Sequence, residues 1–198
     1  MTNETEFQST ALPGVILIKP HVFGDARGFF LETYQRERYA DRGIDVGFVQ
    51  DNHSRSKHAT LRGLHVNTER PQGKLVRCVA GEIFDVAVDV RPGSPTYRQW
   101  VGARLSSQNF HQIWVPAGYA HGFCVLSDVA EVEYKVTDYY HPQGDVCIAW
   151  NDPDIGIEWP LESAPLLSQQ DQAAAPLAEL ADKLPRYSGA SQPMDART

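Results

Sequence analysis

The chain has 198 residues, 42% of them hydrophobic, which is enough for one well-buried core and too few for two comfortable domains. A formal charge of −7 leaves no global positive field to hold nucleic acid or an anionic membrane surface, so an anionic ligand needs locally clustered Arg and Lys. Met1 to Thr10 lacks the basic and apolar regions of a signal peptide, no apolar run approaches membrane-spanning length, and three widely spaced cysteines argue against a disulfide framework, so a soluble cytoplasmic protein is expected.

Taken in order, short β-rich segments follow one another between Gly, Pro, Asn and Asp turn signals. Strands are expected over 15–19 and 28–34, a helix over 35–42, then strands over 48–54, 61–65, 75–80, 82–90, 99–105, 112–115, 121–126 and 131–138, with Ala80-Gly81 a tight connection. Phe84, Val86, Val88 and Val90 alternate with Asp85, Ala87 and Asp89, the period of a strand with one apolar and one more polar face, and an acidic face turned into a barrel would line a ligand cavity. A second helix is expected over 168–183, including the short Ala-rich patch at 173–175. So many strands and so little helix argue for a double-sheet sandwich or jelly roll with short peripheral helices. It forms a single domain over 1–185, with 186–198 a polar, flexible tail.

Leu61-Arg62-Gly63-Leu64-His65 puts a cation and an imidazole on one strand. In a regular strand Arg62 and His65 point to opposite faces, so a site using both needs a bulge or twist, which Gly63 permits. A histidine is suited to removing a carbon-bound proton next to a carbonyl, most of all when a carboxylate supports its imidazolium form. The turn Pro116-Ala117-Gly118-Tyr119-Ala120-His121 resembles the second motif of cupins. Metal-binding cupins add a His-x-His and a downstream Glu, whereas Val66 and Asn67 follow His65 here, so a metal-free barrel is the better reading. Glu131 to Tyr140 mixes polar and apolar residues with three tyrosines, which pattern alone reads as packing, although a phenol facing the cavity would be a protonated donor at neutral pH. Arg27, Arg62, Lys74 and Arg77 are the cations nearest these strands, and guanidinium forks suit diphosphate oxygens.

Together, Val22-Phe23-Gly24-Asp25-Ala26-Arg27-Gly28-Phe29-Phe30, Gln50-Asp51-Asn52-His53-Ser54, the segment 61–65, Gln72-Gly73-Lys74-Leu75-Val76-Arg77, residues 81–89 and 116–123, Tyr134-Lys135-Val136-Thr137-Asp138-Tyr139-Tyr140 and Trp150-Asn151-Asp152-Pro153 resemble the dTDP-4-dehydrorhamnose 3,5-epimerase family in order and spacing. The resemblance covers roughly 12–175. It implies a cupin-like double-stranded β-helix, a homodimer, no cofactor or metal, and a nucleotide-sugar substrate.

It also implies roles. His65 would be the base that takes protons from C5 and C3 of a 4-keto-6-deoxy sugar, Asp171 the carboxylate that pairs with it, and Tyr134 the acid that reprotonates the enolate from the opposite face. Arg62 and Lys74 would lie near the substrate, where cations stabilise an enolate oxygen or a phosphate. Arg27, Glu32, Gln50 and Asn52 match the nucleotide end of the pocket, Tyr139 is a candidate for stacking on the base, and His121 for bonding the sugar. Val66 and Asn67 after the base, where an aromatic and Gln are common, and Asp145, where Glu is common, leave open a C3-only or C5-only epimerase. A non-catalytic sugar-nucleotide-binding cupin and a metal-dependent cupin with His65 and His121 as ligands compete with these two enzyme readings.

Overall fold

Alternation in the middle of the chain builds strands, and apolar residues on both faces of several strands force those strands into layers. The structure, a computed structural model, describes residues 4–189. In chain order the elements are β1 (Glu6–Ser9), β2 (Ile16–Lys19), β3 (Val22–Asp25), β4 (Gly28–Leu31), α1 (Arg36–Ala40), β5 (Gln50–Lys57), β6 (Leu61–Asn67), β7 (Lys74–Ala80), β8 (Glu82–Asp89), β9 (Trp100–Ser106), β10 (Gln112–Val115), β11 (Tyr119–Val125), β12 (Val129–Val136), β13 (Asp145–Cys147), α2 (Gln169–Gln172) and α3 (Leu177–Leu180).

One sheet runs β1-β2-β10-β7-β12-β5, a second runs β13-β6-β11-β8-β9, and β3-β4 is a separate hairpin; the neighbouring strands pair antiparallel. This is the mainly β, cupin-like jelly roll expected of the sequence. Between the sheets, Val76, Ile113 and Val132 meet Ile83, Ala87, Leu105 and Phe123. The strand with the clearest alternation, β8, is apolar outward: Phe84, Val86 and Val88 pack with Ile148, Ile155, Leu177 and Leu180 of the C-terminal segment. Its Asp85 points inward and is fully buried, which is the inward acidic position the alternation predicts. Each such buried Leu or Ile contributes about 1.5–3 kcal/mol relative to exposure, so the outer layer holds the C-terminal segment in place.

Several expectations are corrected. The helix over 168–183 is two short helices and a 3-10 turn (Ala181–Lys183), because Pro176 lacks an N–H and disfavours helical backbone at the preceding residue. The Ala patch is therefore not continuous helix: Ala173 ends α2 and Ala175 bridges Ile148. The strand over 28–34 stops at Leu31, since the Thr33 carbonyl accepts from Tyr39 Oη and Gln112 Nε2. Strands β1, β3 and β13 are additions. The connection at Gly81 joins two different sheets, a corner at which a Cβ would lie 2.1 Å from the Val129 carbonyl oxygen. Of the tail, Tyr187 N donates to the Pro92 carbonyl, and residues 190–198 lie outside the described residues.

The bulge anticipated at Gly63 is present. His65 pairs with His121 while Arg62 pairs with Phe123, so β6 spends three residues where β11 spends two. Gly63 has φ of 126°, and a Cβ there would sit 2.6 Å from Gly122 Cα and 2.9 Å from the His121 carbonyl oxygen. Gly63→Ala is therefore expected to destabilise the fold by about 3 kcal/mol, from strain plus overpacking, as a lowered denaturant midpoint would show. An unchanged midpoint would mean that the bulge is not the constraint these contacts imply.

Candidate active site

The bulge turns Arg62 and His65 toward the facing sheet. Arg62 Nε donates to Ser56 Oγ on β5 at 3.1 Å, and His65 lines a cavity of about 140 Å³ between the sheets. Behind the imidazole stands Asp171, 3% exposed, in the first turn of α2. Ser168 caps this helix: its Oγ accepts from Asp171 N at 3.0 Å and donates to Asp171 Oδ2 at 2.6 Å. Asp171 Oδ1 accepts from His65 Nε2 at 2.8 Å, from Gly63 N at 3.3 Å and from Cys147 Sγ at 3.4 Å.

Burial would raise the Asp171 pKa, but the hydrogen bonds from His65 and Ser168 prevail and hold it at about 2. An ionised carboxylate can only accept, so Nε2 carries the imidazole proton and Nδ1 is the nitrogen with a free lone pair. Nδ1 has no hydrogen-bond partner among the described residues.

Across the cavity, β12 delivers Tyr134 from the other sheet, where it pairs with Asn52 on β5 and Val76 on β7. Burial raises its pKa, opposed by the charge of Arg62, so the phenol is a protonated donor at neutral pH. Lys74, at the start of β7, also lines the cavity; burial pulls its pKa down to about 8 against the opposing pull of Asp145 and Asp85. His121 stands beside His65 across the β6-β11 pairing, and its Nε2 lies 2.9 Å from both oxygens of Asp85. Burial raises the Asp85 pKa and the His121 contact opposes this, so the pair is a buried support rather than a wet cavity wall.

Of the residues singled out in sequence, His65, Tyr134, Gln50, Asn52 and Lys74 share this cavity, with Asp171, Arg62 and His121 adjoining. Gln50 Nε2 donates to Asn52 Oδ1 at 2.8 Å. Three residues lie elsewhere. Arg27 is 91% exposed on the β3-β4 turn and paired with Asp25, Glu32 pairs with Arg38, and Tyr139 is exposed while Tyr140 takes a place in the cavity wall. The wall also includes Asn67 and Asp145, the departures from the family pattern noted in the sequence, and Gln72, which the sequence reading gave no role in the site. The capping role of Ser168 was legible as a Ser-x-x-Asp spacing, and Asp85 as the inward phase of β8. Cys147 had no local signal.

The structure thus sets an imidazole backed by a buried carboxylate against a phenol inside an antiparallel barrel of cupin-like fold, an arrangement chemically able to give and take protons. A family model described as dTDP-4-dehydrorhamnose 3,5-epimerase matches residues 9–179, and the chain belongs to that family. It is 56% identical over 170 residues to the dTDP-4-dehydrorhamnose 3,5-epimerase of Pseudomonas aeruginosa, covering 85% of this chain and 94% of that one. A relative of the same name from Neisseria gonorrhoeae is 58% identical over 86% of this chain, which spans about half (52%) of that relative's length. The crystal structure of a dTDP-6-deoxy-D-glucose-3,5-epimerase from Legionella pneumophila Philadelphia 1, in complex with dTDP-4-keto-L-rhamnose, superposes with a TM-score of 0.91 at 49% identity, covering 93% of this chain and 99% of that one. Among the described residues no helix is long and apolar enough to cross a membrane.

Proposed function

We propose that the chain epimerises a nucleotide-linked 4-keto-6-deoxy sugar, converting dTDP-4-dehydro-6-deoxy-D-glucose to dTDP-4-dehydro-L-rhamnose by inversion at C3 and C5. The observation that carries the reading is the carboxylate-backed imidazole facing a phenol across one cavity. The C4 ketone acidifies the protons on C3 and C5. His65 removes one, the resulting enolate is stabilised by the neighbouring cations, and Tyr134 returns a proton from the other face. Asp171 supports the imidazolium that forms in between. Protein incubated with the substrate in heavy water should incorporate deuterium at both C3 and C5 and give the L-rhamno product by NMR. Incorporation at one carbon would indicate a mono-epimerase, and binding without incorporation would overturn the reading.

Lys74 gives this chemistry a pH signature. Its ammonium form is the one that can stabilise an enolate oxygen, and its pKa of about 8 means that this form is lost above that pH. The rate is expected to fall as pH rises through about 8, and Lys74→Arg should remove that limb while retaining activity. A limb unmoved by the substitution would assign it to another group.

We also propose that the working unit is a homodimer. The hairpin β3-β4 stands apart from both sheets and exposes Phe23, Phe29 and Phe30 by 54%, 61% and 69%, an apolar patch that a lone two-stranded ribbon does not sustain in water. Docking this hairpin on a second copy would cover the phenylalanines and carry Arg27 toward the partner's cavity, where a guanidinium fork suits the diphosphate. Light scattering should return twice the chain mass of 22.1 kDa, and Phe30→Asp should shift it toward one chain. A monodisperse single chain would sink the proposal. A cytoplasmic site of action accords with the three free thiols.

A further inference from the structure

The strand β13 lies against β6 with Cys147 directly opposite His65, so both side chains share one face, and α2 brings Asp171 to the same point. His65 Nε2 and Cys147 Sγ lie 2.8 and 3.4 Å from the same atom, Asp171 Oδ1, and the three possible ligand atoms are all within 4.8 Å of one another. Tetrahedral zinc with one sulfur, one nitrogen and one oxygen ligand keeps its donors roughly 3.3–3.7 Å apart, so the two contacts to Asp171 Oδ1 lie within about half an ångström of such a set, and side-chain movement on the order of 1 Å between Nε2 and Sγ completes it. This is not the His-x-His set of metal cupins; two of its members, His65 and Asp171, are the base and its carboxylate, and the bound ion itself has no step in the proton transfers described above.

We propose that His65, Cys147 and Asp171 bind a thiophilic divalent cation, zinc being the archetype, and that its occupancy switches the base off. Imidazole, thiolate and carboxylate donors select such an ion over magnesium, and the cavity side leaves a fourth position for water. On binding, the Cys147 thiol loses its proton to solvent. The imidazole proton moves from Nε2, now a ligand, to Nδ1, the nitrogen that would otherwise accept the substrate's proton. The metal site stands independently of the proposed function, and the inhibition rests on His65 being the base.

Cobalt is the probe, because thiolate ligation gives a sulfur-to-cobalt charge-transfer band that surface histidines cannot produce. Tag-free, chelator-treated protein should develop this band with saturation at one ion per chain. The band should be absent in Cys147→Ser and retained in His58→Gln, which removes an exposed histidine at the turn between β5 and β6 whose ring lies against the Ser127 carbonyl and not in the proposed ligand set. Zinc should inhibit deuterium incorporation reversibly by chelator, magnesium should not, and the inhibition constant, taken relative to each protein's own metal-free rate, should weaken about tenfold or more in Cys147→Ser. No band in the wild-type protein, or a band that survives in Cys147→Ser, would overturn the site. A band without inhibition would keep the site and overturn its link to the base.

Discussion

His65→Ala is expected to abolish deuterium incorporation at both sugar carbons and to lower kcat/KM on the order of 10³-fold, the scale of a lost general base. Both carbons flank the same ketone, and among the groups lining the cavity only His65 combines a free imidazole nitrogen with a buried carboxylate behind it. A loss at one carbon alone would require a second base and would overturn the single-base reading. The fold should survive, because Asp171 keeps hydrogen bonds from Ser168, Gly63 N and Cys147, and loss of one bond costs about 1–3 kcal/mol. The acid limb of stability should move with it. In the native protein the carboxyl is held at about 2, below its ordinary 3.8, so its contribution is present above about pH 4 and is lost as pH falls toward 2. Without the imidazole the folded pKa rises and the contribution shrinks. Urea midpoints of the two proteins between pH 2 and 5 measure this, and identical profiles would mean that the pair is not coupled in solution.

Tyr134→Phe is expected to separate exchange from inversion. The base can still remove a proton and return one to the same face of the ring, so deuterium continues to enter the substrate. Delivery from the opposite face stops, and formation of inverted product falls by about 10²–10⁴-fold. The side chain is positioned by backbone pairing of β12 to both β5 and β7, so removing one hydroxyl leaves the strand intact. Following deuterium in recovered substrate and in product by NMR distinguishes the two rates. Equal losses in both would show that the phenol acts on proton removal as well, and undiminished inversion would assign the acid to another group, of which Lys74 is the nearest candidate in the cavity.

Among the fold's features, those set by local chemistry were legible from the residues. β-rich runs between turn signals predict ten of the strands, period-2 alternation in β8 predicts the inward phase of Asp85, and the glycine between Arg62 and Leu64 marks the bulge, because only a residue without a Cβ tolerates the approach of Gly122. Family resemblance then named His65, Tyr134 and Asp171 together. What sequence alone could not supply is proximity. His65 and Asp171 are separated by 106 residues, and Cys147 reaches them only through a three-residue strand too short to carry a periodic signal. The Arg27 hairpin folds away from its own cavity, and a helix that Ala and Gln favour is cut by Pro176 and held to the sheet by apolar contacts instead. Alternation decides which way a side chain points relative to its own strand. Which strands, helices or second copy it then meets depends on long-range antiparallel pairing and on burial of the outer apolar face, and those are properties of the assembled sheets.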